Sequence, residues 1–77
     1  MHVITRNLNA FCAERGWQEQ HFLAALADAG YATSTITVQR WLDGTSLPRT
    51  RQLPLVAAAL GVEVADLFRE PVAAAAE

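Results

Sequence analysis

The chain has 77 residues, 52% of them apolar and fifteen of them alanine, enough for one small hydrophobic core and too few for a second folded unit. Its six cations are all arginine, against eight carboxylates, for a net charge of −2. That balance argues against a protein that coats nucleic acid by general electrostatics and leaves room for a specific reader.

Alanine and leucine favour helix, and only Thr35 to Val38 has any strand character, so the expected class is all-α. Ile4, Leu8, Phe11 and Cys12 recur at helical spacing and predict a first helix from about Ile4 to Arg15, closed by Gly16. Phe22, Leu23, Leu26 and Ala27 form the stripe of a second helix that ends at Gly30. With Gln18 as its N-cap, Trp17 and Phe22 occupy the two positions of a hydrophobic staple. Thr33 or Ser34 caps a third helix, from about Thr35 to Leu42, and Asp43 to Pro48 is a loop dense in turn formers.

Thr50 is the expected cap of a fourth helix, whose stripe is Leu53, Val56, Ala57 and Leu60. Pro54 must fall in the first turn of that helix, where its missing N–H has no partner to lose, and Gly61 closes it. Val64, Leu67 and Phe68 make a last short stripe that Pro71 ends. Residues 1–70 are thus one compact five-helix bundle and residues 71–77 an alanine-rich tail. The longest apolar stretch, Leu53 to Val62, is short and interrupted by Pro54, so neither a membrane span nor an export signal is expected. Cys12 has no cysteine partner for a disulfide or a zinc site, so the expectation is a reducing, cytoplasmic compartment, no metal and no cofactor.

On the wheel of the third helix, Val38, Trp41 and Leu42 share the core side. Ile36, Arg40 and Asp43 share the opposite side, with Thr37 and Gln39 on the flanks and Thr35 at the N-terminal end. Arginine can donate two parallel hydrogen bonds to guanine, glutamine pairs with adenine in the same manner, and an isoleucine or threonine methyl meets a thymine methyl. Taken singly these are ordinary solvated side chains. Ile36 is the exception, because a large apolar residue on a polar face asks for a partner.

Val38-Gln39-Arg40-Trp41-Leu42-Asp43-Gly44, then Pro48, then Leu53-Pro54-Leu55-Val56-Ala57-Ala58-Ala59-Leu60-Gly61-Val62 and Asp66-Leu67-Phe68 together resemble the Cro/CI-type, XRE-like helix-turn-helix family of phage and bacterial regulators. The resemblance covers residues 4–69 and rests on the ordered combination. It implies a lambda-repressor-like DNA-binding domain with helix 2 across the DNA backbone and helix 3 in the major groove. By that resemblance Ser34 is the cap, and Thr35, Ile36, Gln39 and Arg40 read bases. Thr37 lies toward a phosphate, and Thr45, Ser46, Arg49, Arg51 and exposed loop amides approach the sugar-phosphate backbone.

Two positions depart from the family's pattern. Gly30 stands about two residues further from Trp41 than the family's turn glycine. Glu19 stands where members often have a phosphate-binding glutamine, so Gln18 or Gln20 takes that role.

Other candidate sites are weaker. His2 and His21 lack partners at ligand spacing, Cys12 lies on the apolar stripe of helix 1, Trp17 and Trp41 sit in apolar patterns, and Glu14 and Asp28 are unpaired. No enzyme activity is expected of so small a bundle.

The leading expectation is a sequence-specific transcription regulator, a repressor that binds double-stranded DNA as a homodimer on a two-fold operator in a bacterial cell or phage-infected host. Val64, Leu67, Phe68 and Val72 are the expected dimer contacts, with closure of the core as their alternative role. The competing expectation is a protein-interaction module, such as an antitoxin, bound to a toxin or an antirepressor; the acidic balance, Glu19 and Ile36 favour it. Charge is also unevenly distributed. Residues 1–51 carry five arginines against four carboxylates, and residues 52–77 one against four, so the net acidity resides in the C-terminal third.

Overall fold

The computed structural model describes residues 2–69, which are all-helical and contain no strand. Five α-helices follow one another: α1 (Val3–Arg15), α2 (Glu19–Asp28), α3 (Thr35–Asp43), α4 (Leu53–Leu60) and α5 (Val64–Leu67). A single 3₁₀ turn, Thr50–Gln52, leads into α4.

Helix α1 starts one residue earlier than its apolar spacing predicts. The His2 imidazole supplies the cap, its Nδ1 accepting from the Ile4 amide at 3.0 Å. At α2 the staple forms as expected: Gln18 is the N-cap, and the Trp17 and Phe22 rings stack with centroids 6.3 Å apart. His21, exposed, closes this turn by accepting the Gln18 amide proton on Nδ1 at 2.9 Å. Thr50 does not cap the fourth helix. It opens the 3₁₀ turn instead, and the Gln52 side chain reaches back to accept from the Arg49 amide at 2.7 Å. Pro54 lies in the first turn of α4, as its chemistry requires.

Three helices end alike. After α1, Trp17 N–H reaches Cys12 O at 2.9 Å; after α2, Tyr31 N–H reaches Leu26 O at 2.8 Å; after α4, Val62 N–H reaches Ala57 O at 2.9 Å. Each closure follows a left-handed glycine and throws a bulky residue back onto the core. The same device therefore places Trp17, Tyr31 and Val62.

The core takes Ile4, Leu8 and Cys12 from α1, Phe22 and Leu26 from α2, Val38 and Trp41 from α3, Leu53, Val56, Ala57 and Leu60 from α4, and Leu67 from α5. Ala27, placed on the apolar stripe of α2 by its spacing, is exposed. Helix α2 packs on α3 and α4, and α1 on α3 and α5. Where α1 meets the end of α3 the approach is close: a Cβ at Gly44 would lie 3.7 Å from Thr5 Cγ2, and its φ of 87° suits glycine. The neighbouring Thr5 Oγ1 is buried without a hydrogen-bond partner.

Candidate nucleic-acid interface

Helix α3 is held in a fixed rotation by its buried side. Val38 is fully buried and Trp41 nearly so. The Trp41 indole lies parallel to the Tyr31 ring, centroids 6.2 Å apart at 14°, and tilted against Phe22 at 6.4 Å. With that side fixed, the 3.6-residue period turns Thr35, Ile36, Gln39, Arg40 and Asp43 outward, and all five are exposed. Ile36 is 58% exposed, more than Val64 or Phe68. The wheel drawn from sequence therefore matches the observed burial. Ser34 is the N-cap, accepting from the Thr37 amide at 3.3 Å, and the hydroxyl of Thr37, a half-buried residue, lies 3.2 Å from Ser34 Oγ.

The start of α2 adjoins the outward face of α3. Gln39 Nε2 donates to Glu19 Oε1 at 3.0 Å, which couples the first turn of α2 to the middle of α3. Gln18 and Gln20 flank this contact, both exposed. A carboxylate here repels phosphate, and it also takes one of the two amide protons of Gln39.

Beyond α3 the loop is held by its own polar groups. Asp43 Oδ1 accepts from the Thr45 amide at 2.8 Å, and the Ser46 amide donates to Arg40 O at 3.2 Å. Bonds from Thr45, its side chain first and then its amide, together with the nearby Arg40 charge, hold the Asp43 carboxyl below its ordinary range. The amides of Thr45, Ser46 and Arg49 are thus all engaged within the chain. At these three positions it is the side chains that face solvent: those of Thr45, Ser46 and Arg49, like that of Arg51, are exposed.

Gln52 connects this loop to the segment that precedes α3. Its Nε2 donates to the Tyr31 phenol oxygen at 2.7 Å, while its Oε1 accepts from Arg49. Arg49, Thr50, Arg51 and Gln52 line one shallow, open depression.

The expected dimer contacts separate. Leu67 is fully buried in the core, so it is unavailable for a contact between copies; its apolar neighbours Val64 and Phe68 are 36% and 46% exposed. Val72 lies outside the described residues. Helix α5 packs on α1 and α4.

Several polar residues with structural roles were missed by sequence reasoning. Asn7 Nδ2 donates to Leu67 O at 2.9 Å and Arg69 O at 2.8 Å, tying α1 to the end of α5. Asn9 Nδ2 donates to Leu42 O at 2.8 Å, tying α1 to the end of α3. Arg15 caps two helix ends, donating to Phe11 O at 3.0 Å and Leu60 O at 2.6 Å, with its guanidinium over the Phe11 and Trp17 rings. The only sequence signal for Asn7 was a polar residue beside the apolar stripe of α1, and that does not name its partner. Cys12 is buried, and burial pushes its thiol pKa up against the opposing charge of Arg15.

Among the described residues no cluster of histidine, cysteine and carboxylate side chains is grouped to hold a metal ion, and no helix is long and apolar enough to cross a membrane. No protein-family model, no curated protein and no solved structure matches the chain.

Proposed function

We propose that this chain is a sequence-specific DNA-binding regulator that inserts α3 into the major groove. The carrying observation is the outward face of α3: Thr35, Ile36, Gln39 and Arg40 are all exposed on a nine-residue helix whose other side is fixed by Val38 and Trp41. These side chains match the donor, acceptor and methyl patterns of base edges. The helix order supports the lambda-repressor-like reading, with α2 starting beside α3 and an arginine-bearing turn following it. Arg49, Arg51, Thr45, Ser46 and Thr37, with Gln18 and Gln20, are assigned to the phosphates. The protein acts as a repressor in the cytoplasm of a bacterial or phage-infected cell. It binds as a homodimer through the exposed Val64 and Phe68, because one short helix reads too few base pairs to discriminate alone.

Fluorescence anisotropy of labelled duplexes across a salt series tests this reading. Salt-dependent binding that differs between duplex sequences is expected; absence of binding to every duplex at low salt would contradict it.

A second reading, a partner-binding antitoxin or related module without catalytic activity, is favoured by one observation. Glu19 sits at the start of α2 and engages Gln39, setting a negative charge beside the exposed Ile36 face. Binding of a protein from the native host in the absence of any duplex shift would favour it.

A further inference from the structure

The connection between α2 and α3 covers residues 29–34, six positions that carry the chain from the end of one helix to the cap of the next. Tyr31 lies within this connection, and one side chain links it to the turn that follows α3. Gln52 donates from Nε2 to the Tyr31 phenol oxygen at 2.7 Å and accepts on Oε1 from the Arg49 amide at 2.7 Å. The Tyr31 ring in turn lies parallel to the indole of Trp41, the core anchor of α3. A continuous chain of contacts therefore runs from the buried side of α3, through Tyr31 and Gln52, to the backbone of Arg49 at the head of the 3₁₀ turn that carries Arg51.

We infer that Tyr31 and Gln52 are positioning residues that set the distance between the reading helix and the Arg49 and Arg51 turn. This inference rests on the DNA-binding reading above. Neither residue needs to touch nucleic acid. Arg49 and Arg51 are both exposed and their guanidinium groups sit on long side chains, so the reach of each is decided by where its backbone is held. Gln52 holds that backbone by a bond to the amide itself. Losing the strut leaves the recognition face of α3 intact, because Val38 and Trp41 fix its rotation. It loosens only the phosphate-facing turn.

Two substitutions separate the parts. Tyr31→Phe keeps the ring on Trp41 and removes the acceptor oxygen; Gln52→Met keeps the length of the side chain and removes both bonds. Both are expected to keep the helical circular dichroism spectrum. Duplex affinity should fall by about threefold to tenfold for preferred and random sequences alike, and the slope of log K against log salt should become shallower by about one phosphate. A structural role alone moves the melting temperature and leaves the slope where it was. The Arg49 amide, measured by hydrogen exchange without DNA, should exchange faster in Gln52→Met. It should stay protected in Gln52→Glu, whose carboxylate can accept both from Arg49 and from the Tyr31 hydroxyl. Wild-type salt slope and affinity in the folded Tyr31→Phe and Gln52→Met proteins would overturn the inference, as would unchanged Arg49 exchange in Gln52→Met. Wild-type protein that binds no duplex overturns the DNA reading, and the exchange measurement then decides the strut by itself.

Discussion

Gln39 Nε2 and Glu19 Oε1 are joined by a hydrogen bond of 3.0 Å that spans two helices, from the exposed face of α3 to the first turn of α2. A carboxylate accepts and cannot donate, so this bond fixes which end of the Gln39 amide faces α2. One N–H and the carbonyl oxygen remain, the pair that adenine requires.

Glu19→Gln removes a charge from the side that would meet DNA while leaving a group able to accept from Gln39. Affinity is expected to rise about threefold to tenfold on every duplex at low salt, as an unfavourable Coulomb contact with phosphate is relieved, and the gain should shrink as salt is added. Unfolding free energy should change by less than about 0.5 kcal/mol, the usual range for a surface site. Anisotropy at several salt concentrations and urea denaturation measure the two effects.

Arg40 and Arg49 are assigned different tasks, and their alanine variants should differ accordingly. Arg40→Ala is expected to cost about 1 to 3 kcal/mol on a preferred duplex and little on random sequence, because a base contact is lost. Arg49→Ala should weaken both alike and lower the salt slope by about one. Titration of both variants against both duplexes makes the comparison; equal loss on the two duplexes for Arg40→Ala would contradict its role.

Asn7 joins the two ends of the described chain through Leu67 O and Arg69 O. Asn7→Ala removes the donor and leaves carbonyls near the core unpaired, which should destabilise by about 1 to 3 kcal/mol. Urea unfolding followed by circular dichroism reads this directly, and the loss should be larger than for alanine at the exposed Asn9.

Leu67 and Phe68 are neighbours with opposite surroundings, one in the core and the other 46% exposed. Leu67→Ala should cost about 2 to 5 kcal/mol of folding stability by leaving a cavity. Phe68→Glu should leave the monomer's stability nearly unchanged and weaken self-association, as seen by sedimentation equilibrium. A wild-type chain that is monomeric at all concentrations, free and on DNA, would remove α5 as a dimer surface.

The features readable from sequence are those decided by near neighbours. Ser34 as a cap, the Trp17 and Phe22 staple, Pro54 in a first turn and the outward set of α3 all depend on residues within one or two turns. The features missed depend on contacts that no local pattern carries: Asn7 reaches 60 positions along the chain to Leu67, Arg15 reaches 45 to Leu60, and Gln52 reaches 21 to Tyr31. Leu67 was the intermediate case. Its apolar stripe was visible, but whether that stripe faced the core or a second copy depended on how α5 lay against α1 and α4. In the loop after α3, Asp43 accepts from the Thr45 amide, and Gln52, just beyond the loop, accepts from the Arg49 amide, contacts that a composition of turn formers does not reveal.

Base reading by the outward face of α3 can be tested by repeated selection of bound duplexes from a random pool. The expected result is enrichment of an inverted repeat whose half-sites lie about one helical turn apart, with enrichment at the central positions of each half-site abolished by Arg40→Ala. Retention of duplexes by the wild-type chain without enrichment of any sequence, at a salt concentration where binding persists, would contradict it.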